Sequence, residues 1–551
     1  MQRLPERPNL DHLKKQAKDL LALYRNRDPA AITRIRNALP AAASKDDATI
    51  ANLGLRLHDA QSCVAREYGF LSWTDLRSFV EARVAHRDDR IALGWLRLVY
   101  AGHIAGGANR ARPAVAARLL AEHPDLANGA PYLACAIGDE NVLRQATKAD
   151  PGWVNLPGGP LDLPPLVAVT HSSLLGLPAF RDGLHASARG LLDAGADPNQ
   201  AVGDRWPPAS VRAPSDTHRL SALYGAAGQN HDPELTRLLL DAGADPNDGE
   251  SLYHSLENVA CTRHLLDAGA CIAGSNAMYR VLDFDNVDAL RLLLARGGNP
   301  NEPALGPPTA DWGSPLLWAI RRRRSRAHVA ALLDAGADPA ARTPDGADAY
   351  TWALRFGFPD VAALLSHDHG VRDISEEEQF IAACTRGDEA NARRILSRRH
   401  DLPAALSGPQ LRLLPELAAE GCGEAVRLMV KLGWPIAVSG GDWSASALNH
   451  AVFRGDAALT RFLLDHGASW KEQHGHGDNA CGTLSWASCN EPVDGGDWVG
   501  CAEALIAGGM PAAQPDPDGS DGVIIDGRRK RFSDEVRDYL LAANTAASPA
   551  R

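Results

Sequence analysis

The sequence predicts an all-α protein: an α-solenoid of helix–turn–helix repeats, with short β-turn fingers and a helical cap at its N-terminal end. Three observations carry this. The stretch Leu191-Leu-Asp-Ala-Gly-Ala-Asp-Pro-Asn199 returns almost unchanged at 239–247, and in eroded form at 265–273, 293–301, 332–340 and 463–471. A second pattern, Ser314-Pro-Leu-Leu-Trp-Ala319, recurs as Ser221-Ala-Leu-Tyr-Gly-Ala226, Ser446-Ala-Leu-Asn-His-Ala451 and Gly482-Thr-Leu-Ser-Trp-Ala487. Between the two patterns lie leucine-rich segments of helical length, and no strand-rich region appears anywhere. Self-similarity of this kind decides the architecture before any single element does.

Each pattern has a physical reading. The paired leucines end a helix that buries one apolar face. The following glycine sits just past the helix end, where a left-handed backbone is needed and glycine adopts it at least cost. Asp-Pro-Asn cannot continue a helix and favours a tight turn. In the second pattern the serine hydroxyl caps free N–H groups, proline suits the first helical position, and leucine and alanine face inward. One unit is therefore a helix, a short turn, a second helix and a loop.

These residues resemble the ankyrin repeat, with its T-P-L-H-x-A opening and G-A-D-P-N close. The resemblance implies stacked hairpins whose first helices line a concave face, and a role in binding other proteins. The family's step is about 33 residues. Here Gly195 to Gly243 is long, Gly243 to Gly269 and Gly269 to Gly297 are short, and Gly433 to Gly467 is near the norm. Short steps are expected to lack the finger, and long ones to carry inserted loops.

Taken in order, residues 1–90 do not follow the repeat. Asn9 caps a first helix whose apolar positions are Leu10, Leu13, Ala17, Leu20, Leu21 and Tyr24. Asp28-Pro29 starts a second, through Leu39. A third carries Leu53, Leu57, Ala60, Val64 and Tyr68 and stops at Gly69. Ser72-Trp-Thr-Asp75 opens a fourth, ending near Ala85. Two passages, 10–20 and 59–73, resemble an N-terminal helical module found ahead of ankyrin repeats in many bacterial proteins. Its expected role is to cover the apolar end of the first repeat, since an array needs a polar cap.

Residues 91–511 form the array, roughly twelve units with an error of one or two. The pattern is degenerate at 91–200 and 372–436 and clearest from 220 to 371. A segment at 171–185 is inserted before a second helix. Residues 512–527, rich in Pro, Asp and Gly, read as a loop. A closing helix at 533–543 follows, and 545–551 are expected to be disordered.

Composition bounds the function. The chain has 551 residues, 45% of them apolar, and a formal net charge of −11. A stacked array can run this long because each unit contacts only its neighbours. Mild acidity argues against general nucleic-acid binding. There is no signal-peptide core and no run of 18 apolar residues, so no membrane span is expected and the cytosol is the default, with signal-less secretion the alternative. The nine cysteines are scattered without a CxxC, which suits free thiols in a reducing compartment.

No phosphate-binding, nucleophile-elbow, HExxH or kinase motif is present, and no catalytic residue or cofactor is assigned. His474, His476, Cys481 and Cys489, with Cys501, offer zinc-type ligands near one finger, but their spacing fits no recognised module. His367-Asp-His369 reads as a capping turn. The basic run 321–326 reads as a solvated turn, with phosphate or an acidic partner as the functional alternative; 528–531 is similar. Trp318, Trp352 and Trp486 occupy the variable place before the alanine of a first helix, and His450 occupies it in another unit. On the resemblance they form a row on the concave face, as binding anchors or as packing between first helices. Arg355, Arg454 and Trp470, with Asp442 and Trp443 at a finger, complete the candidate partner-binding set. Trp206, Trp312 and Trp498 lie in inserted loops.

The sequence therefore points to a non-catalytic scaffold for another protein. An enzyme or small-ligand receptor, its pocket built from 372–443 and the 471–500 finger, is the alternative. A secreted effector with the same surface is a third.

Overall fold

The computed structural model describes every residue except 1, 6–7, 41, 85–90, 108, 128–129, 307–308, 310–311, 367–373, 518–521 and 548–551. It is all-α, with seven short strands among the described residues. It divides into two compact units, Met1–Ala277 and Met278–Arg551, and each is built of helical hairpins.

The first unit opens on four helices and one short turn of helix. Leu10–Arg25 is capped by the Asn9 side chain, which accepts from the backbone N–H of Asp11, and it buries Leu13, Ala17, Leu20, Leu21 and Tyr24. Pro29–Ala38 follows with Asp28 as its cap. The third helix, expected to carry Leu53, starts one turn later, and a separate short piece precedes it. Asp47–Ala51 is a short piece capped by Asp46, and Leu57–Glu67 starts afresh where the Asp59 carboxylate accepts from the Arg56 N–H. Leu53 lies between them. The local cap at Arg56 and Asp59 outweighs the apolar period that reached back to Leu53. Trp73–Val84 begins where Ser72 accepts from Asp75.

The hairpins of this unit pair Ile91–Val99 with Pro113–Glu122, Pro131–Ile137 with Glu140–Ala149, and Pro165–Thr170 with Pro178–Asp193. Ala222–Tyr224, continued by Gly225–Gln229, pairs with Pro233–Asp241, and Ser251–Ser255 with Val259–Asp267. The long step at 195–243 holds a finger. Ala201–Gly203 pairs antiparallel with Arg219–Ser221, and the buried Arg205 guanidinium donates to the carbonyls of Ile104, Leu161 and Asp162 to hold the loop between them. The short steps at 243–297 carry no strand among the described residues.

In the second unit Pro315–Arg321 pairs with Arg326–Asp334, Ala349–Arg355 with Pro359–Ser366, and Glu376–Thr385 with Glu389–Leu396. Leu413–Ala419 with Gly423–Lys431, Ala447–Arg454 with Ala457–Asp465, and Ala480–Asn490 with Trp498–Ala507 complete the series. The helix expected to open at Gly482 starts earlier, because Asn479 caps it. A small finger pairs Ser439–Gly440 with Ala445–Ser446. The tail is not a loop: Gln514–Pro515, Val523–Ile525 and Arg528–Lys530 form an antiparallel sheet, with Val523 and Ile525 buried. Its closing helix, Asp534–Ala547, runs past 543, so 545–547 are helical and not disordered. Residues 548–551, and the turn at His367 and His369, lie outside the described residues.

One closing device repeats in both units. At Gly195, Gly243, Gly269, Gly297, Gly336, Gly433, Gly467 and Gly509 the backbone is left-handed, with φ between 89° and 100°. The residue after the glycine donates back to the carbonyl five residues before it, as Ala196 does to Leu191 and Ala337 to Leu332, each at 2.9 Å. This pays the helix's last orphan carbonyls. The terminal asparagine then reaches the next hairpin. Asn199 donates to the Gly243 carbonyl and accepts from the Asp245 N–H, and Asn301 does the same with Gly336 and Asp338.

Candidate interaction surface

Two neighbouring regions of the second unit hold most of the residues singled out from sequence. The first is a buried charge cluster. Pro315–Arg321 has the period of a helix whose far end faces inward, so Arg321 leaves it only 2% exposed. Its guanidinium pairs with Glu416 at 2.7 Å, Asp442 at 2.8 Å and Glu420 at 3.6 Å. Arg322 adds Asp283 at 3.0 Å and Asp442 at 3.2 Å. These pairs tie the 315–334 hairpin to the 413–431 hairpin across two intervening hairpins, and to the 439–446 finger. The basic run is therefore no solvated turn: its first residue is core, and Arg323 donates to the Phe356 carbonyl.

Electrostatics follow burial. Burial pushes the Glu416 carboxyl up, while Arg321 and the Gly441 N–H pull it down. Burial opposes the charge on Arg321, but Glu416, Asp442 and Glu420 outweigh it and raise its pKa further. Arg321 and Arg322 also lie over the Trp318 ring, at 5.3 and 4.5 Å.

The tryptophan row divides. Trp318 is 1% exposed and Trp352 is also buried. Trp352 stacks on Phe356 and meets Trp312 at a tilt, donates its indole N–H to Thr343, and carries Arg355 over its face at 4.7 Å. Arg355 is itself buried and paired with Asp345 and Glu378. His450 is buried, and its Nε2 donates to the Gly440 carbonyl. Burial lowers its pKa to about 4, so the ring is neutral. Trp470, Trp312 and Trp498 are buried too. Trp318, Trp352, Arg355, His450 and Trp470 are buried, and so are packed inside the unit where the repeat pattern suggested partner anchors: neighbouring helices and the loop and finger residues Trp312, Thr343 and Asp345 cover them.

What remains accessible forms the second region. Trp486 is 52% exposed and lies parallel on Phe453, with centroids 5.5 Å apart and planes 9° apart. Phe453 meets Trp443 at 5.7 Å, and Trp443 meets His474 at 5.0 Å and His476 at 6.5 Å. The Gly475 N–H donates to the Trp443 carbonyl, which fastens the 471–479 loop to the finger. Arg454 lies beside this run, donating to the Ala419 carbonyl, and Asp442 joins it to the buried cluster. Helix Ala447–Arg454 supplies Phe453 and Arg454, helix Ala480–Asn490 supplies Trp486, and two finger loops supply the rest. Phe453 was missed from sequence. Its signal was its place one turn after His450, on the side that faces Trp486.

The zinc-type ligands do not converge. His474 and His476 rings are 5.8 Å apart. Cys481 is buried, with its thiol pushed up to about 12 by burial. Cys489 is exposed beside the Arg531 carbonyl. Among the described residues no group of three His, Cys, Asp or Glu side chains is placed to hold a metal ion. None of the nine cysteines is in a disulfide.

Among solved structures, the chain is similar to the human ASB11 ankyrin repeat domain, with 19% identity, 44% of this chain and 99% of that one covered, and a TM-score of 0.32. It is similar to the ankyrin repeat domain of Bcl-3, of the IkappaB family, with 19% identity, coverage of 49% and 99%, and a TM-score of 0.21. No protein-family profile matches the chain, and no curated protein matches it.

Proposed function

We propose that this chain is a non-catalytic scaffold that binds another protein through the aromatic surface Trp486–Phe453–Trp443, rimmed by Asp442, Arg454, His474 and His476. The observation that carries the reading is Trp486: half exposed, with its ring already held by Phe453. Large rings with few free torsions bring contact area at low entropic cost, and such residues dominate measured binding hot spots. The ankyrin resemblance of the repeats supports a first-helix and finger surface as the binding face. No helix is long and apolar enough to cross a membrane among the described residues, and a cytosolic scaffold is the reading we adopt; a secreted effector would use the same surface.

One observation favours the alternative of a small-ligand receptor: Arg321 and Glu416 bring polar groups into the interior of the second unit. Their charges already face one another, which supports a structural clasp over a vacant pocket.

The test is affinity capture with the full chain against Trp486→Ala and Trp443→Ala, each first shown to be folded by its thermal transition. A protein retained by the parent and lost by both folded variants supports the reading. Retention by all three, or a small molecule bound with no protein partner, overturns it.

A further inference from the structure

A cluster in the first unit stands apart from this surface. His218 sits at the base of the 201–221 finger with an acidic oxygen at each ring nitrogen. Nδ1 lies 3.2 Å from Asp204 Oδ2, and Nε2 lies 2.7 Å from Glu250 Oε1. A neutral imidazole carries one N–H, and an ionised carboxylate only accepts. Both contacts are therefore hydrogen bonds only when the ring holds two protons. The second oxygen of Asp204 is 2.9 Å from His103 Nδ1, and that of Glu250 is 3.2 Å from His254 Nε2. Five titratable side chains thus alternate in a line: His103, Asp204, His218, Glu250, His254.

They come from three places. His103 is on the short helix Gly102–Ala105, Asp204 and His218 are on the finger, and Glu250 and His254 belong to the next hairpin. The finger also carries Trp206, 36% exposed, whose ring stacks on His103 at 4.8 Å. The other charged groups about the finger's base are engaged. Asp248 accepts from the Ser221 and Ser251 hydroxyls, Arg219 donates to the Ala201 carbonyl, and Arg205 donates to three carbonyls. The Tyr224 phenol, close to the same carboxylates, is pushed up to about 12 chiefly by burial and stays neutral. The His171 ring lies between Gln229 and the Ser221 carbonyl, and burial lowers its pKa.

We infer that His218 is a proton-operated latch on this finger. Doubly protonated, its ring ties Asp204 of the finger to Glu250 of the next hairpin. When the ring loses one proton it can hold only one of the two, and the finger bearing Trp206 loosens from its neighbour. The direction of titration agrees. Burial opposes charge on His218, but Glu250 and Asp204 outweigh it and raise its pKa, while those two carboxyls are held below their ordinary values despite their own burial. A raised folded value means that the latch is closed below the ordinary histidine value of about 6.5, while its two carboxylates stay ionised, and opens as pH rises through the raised value.

The experiment follows the full chain with ring-labelled histidine and peptide-level hydrogen exchange, corrected for the intrinsic dependence of exchange on pH. His218 is expected to titrate above about 6.5, and protection across 201–221 to fall about fivefold over the same interval, the loss of roughly one net hydrogen bond. The 439–446 finger, tied by arginine, serves as the internal control and stays level. In His218→Gln the 201–221 protection is low at every pH and shows no step. In Glu250→Gln, which keeps the ring, the titration of His218 moves down. The inference is overturned if His218 titrates at or below the ordinary value, if its titration leaves 201–221 protection unchanged, or if Glu250→Gln leaves the titration where it was.

Discussion

The two units fasten their fingers with different cations. In the second, Arg321 reaches the 439–446 finger from a position 2% exposed, and guanidinium keeps its charge at any pH a protein survives. In the first, the His218 side chain is 45% exposed, and imidazole is the side chain whose ordinary value lies nearest the physiological range. The geometry is alike: one cation between two or more carboxylates, joining a finger to a hairpin that is not its own. The difference teaches that burial and the choice of cation set whether such a tie is permanent or titratable.

The largest effect that would break this contrast is at the clasp. Arg321→Met leaves the buried Glu416 without a cation, while Arg322 still faces Asp442 and Glu420, and we expect a loss of about 3–5 kcal/mol in denaturant unfolding, most of it the cost of an uncompensated buried carboxylate. Adding Glu416→Leu should return part of that loss. A single-variant loss below about 1 kcal/mol would mean that the cluster is hydrated and the contrast false. Trp318→Ala should cost a similar amount, about 3–5 kcal/mol, as a cavity in a packed core.

At His218 the comparison predicts a smaller cost. His218→Gln should lose under about 1 kcal/mol at neutral pH, because the pair is half solvated. A second histidine in the first unit sharpens the pH test. His185 lies 2.8 Å from Asp232, whose hydrogen bond raises its pKa while desolvation opposes. Its contribution is whole below the ordinary histidine value and fades as pH rises through the raised one. Asp232, lowered by His185 against its own burial, contributes above the ordinary carboxylate value and loses this as pH falls through the lowered one. Stability of the first unit should therefore decline with rising pH in the parent and decline less in His185→Gln, with pH-dependent melting as the measurement.

One tie found inside each unit should show no contrast. Asn199→Ala and Asn301→Ala each remove the same pair of hydrogen bonds to the next hairpin's turn, and each should cost about 1 kcal/mol. Unequal losses would show that the rung is worth different amounts in the two stacks. Smallest of all, Trp486→Ala should move stability by no more than about 0.5–1 kcal/mol, since half its surface is already in water, yet it should abolish partner capture. A large stability loss would return Trp486 to the packing set beside Trp318.

How much of this was legible depended on the range of the forces involved. The helices after Asn9, Asp28 and Ser72 and the Gly195-type ends follow from hydrogen bonds within a few residues, and the chain names their partners locally. Even there, the apolar period around Leu53 overran the acidic cap at Asp59. The candidate site was read only in outline. Trp318, Trp352 and Trp486 occupy equivalent places in their repeats, so nothing in the pattern separates the two buried rings from the exposed one.

The all-α hairpins, the left-handed glycine that closes eight of them, and the turn that follows could be read from the chain alone, because caps, glycine freedom and apolar periodicity act over one or two turns of chain. Only the tertiary structure decided which of those hairpins lie together. Arg321 and Asp442 stand 121 residues apart, and their pairing depends on how successive hairpins stack, a sum of many small packing angles that no single residue specifies. That stacking buries Trp318 and Arg355, leaves Trp486 in water, and brings two carboxylates to opposite sides of the His218 ring.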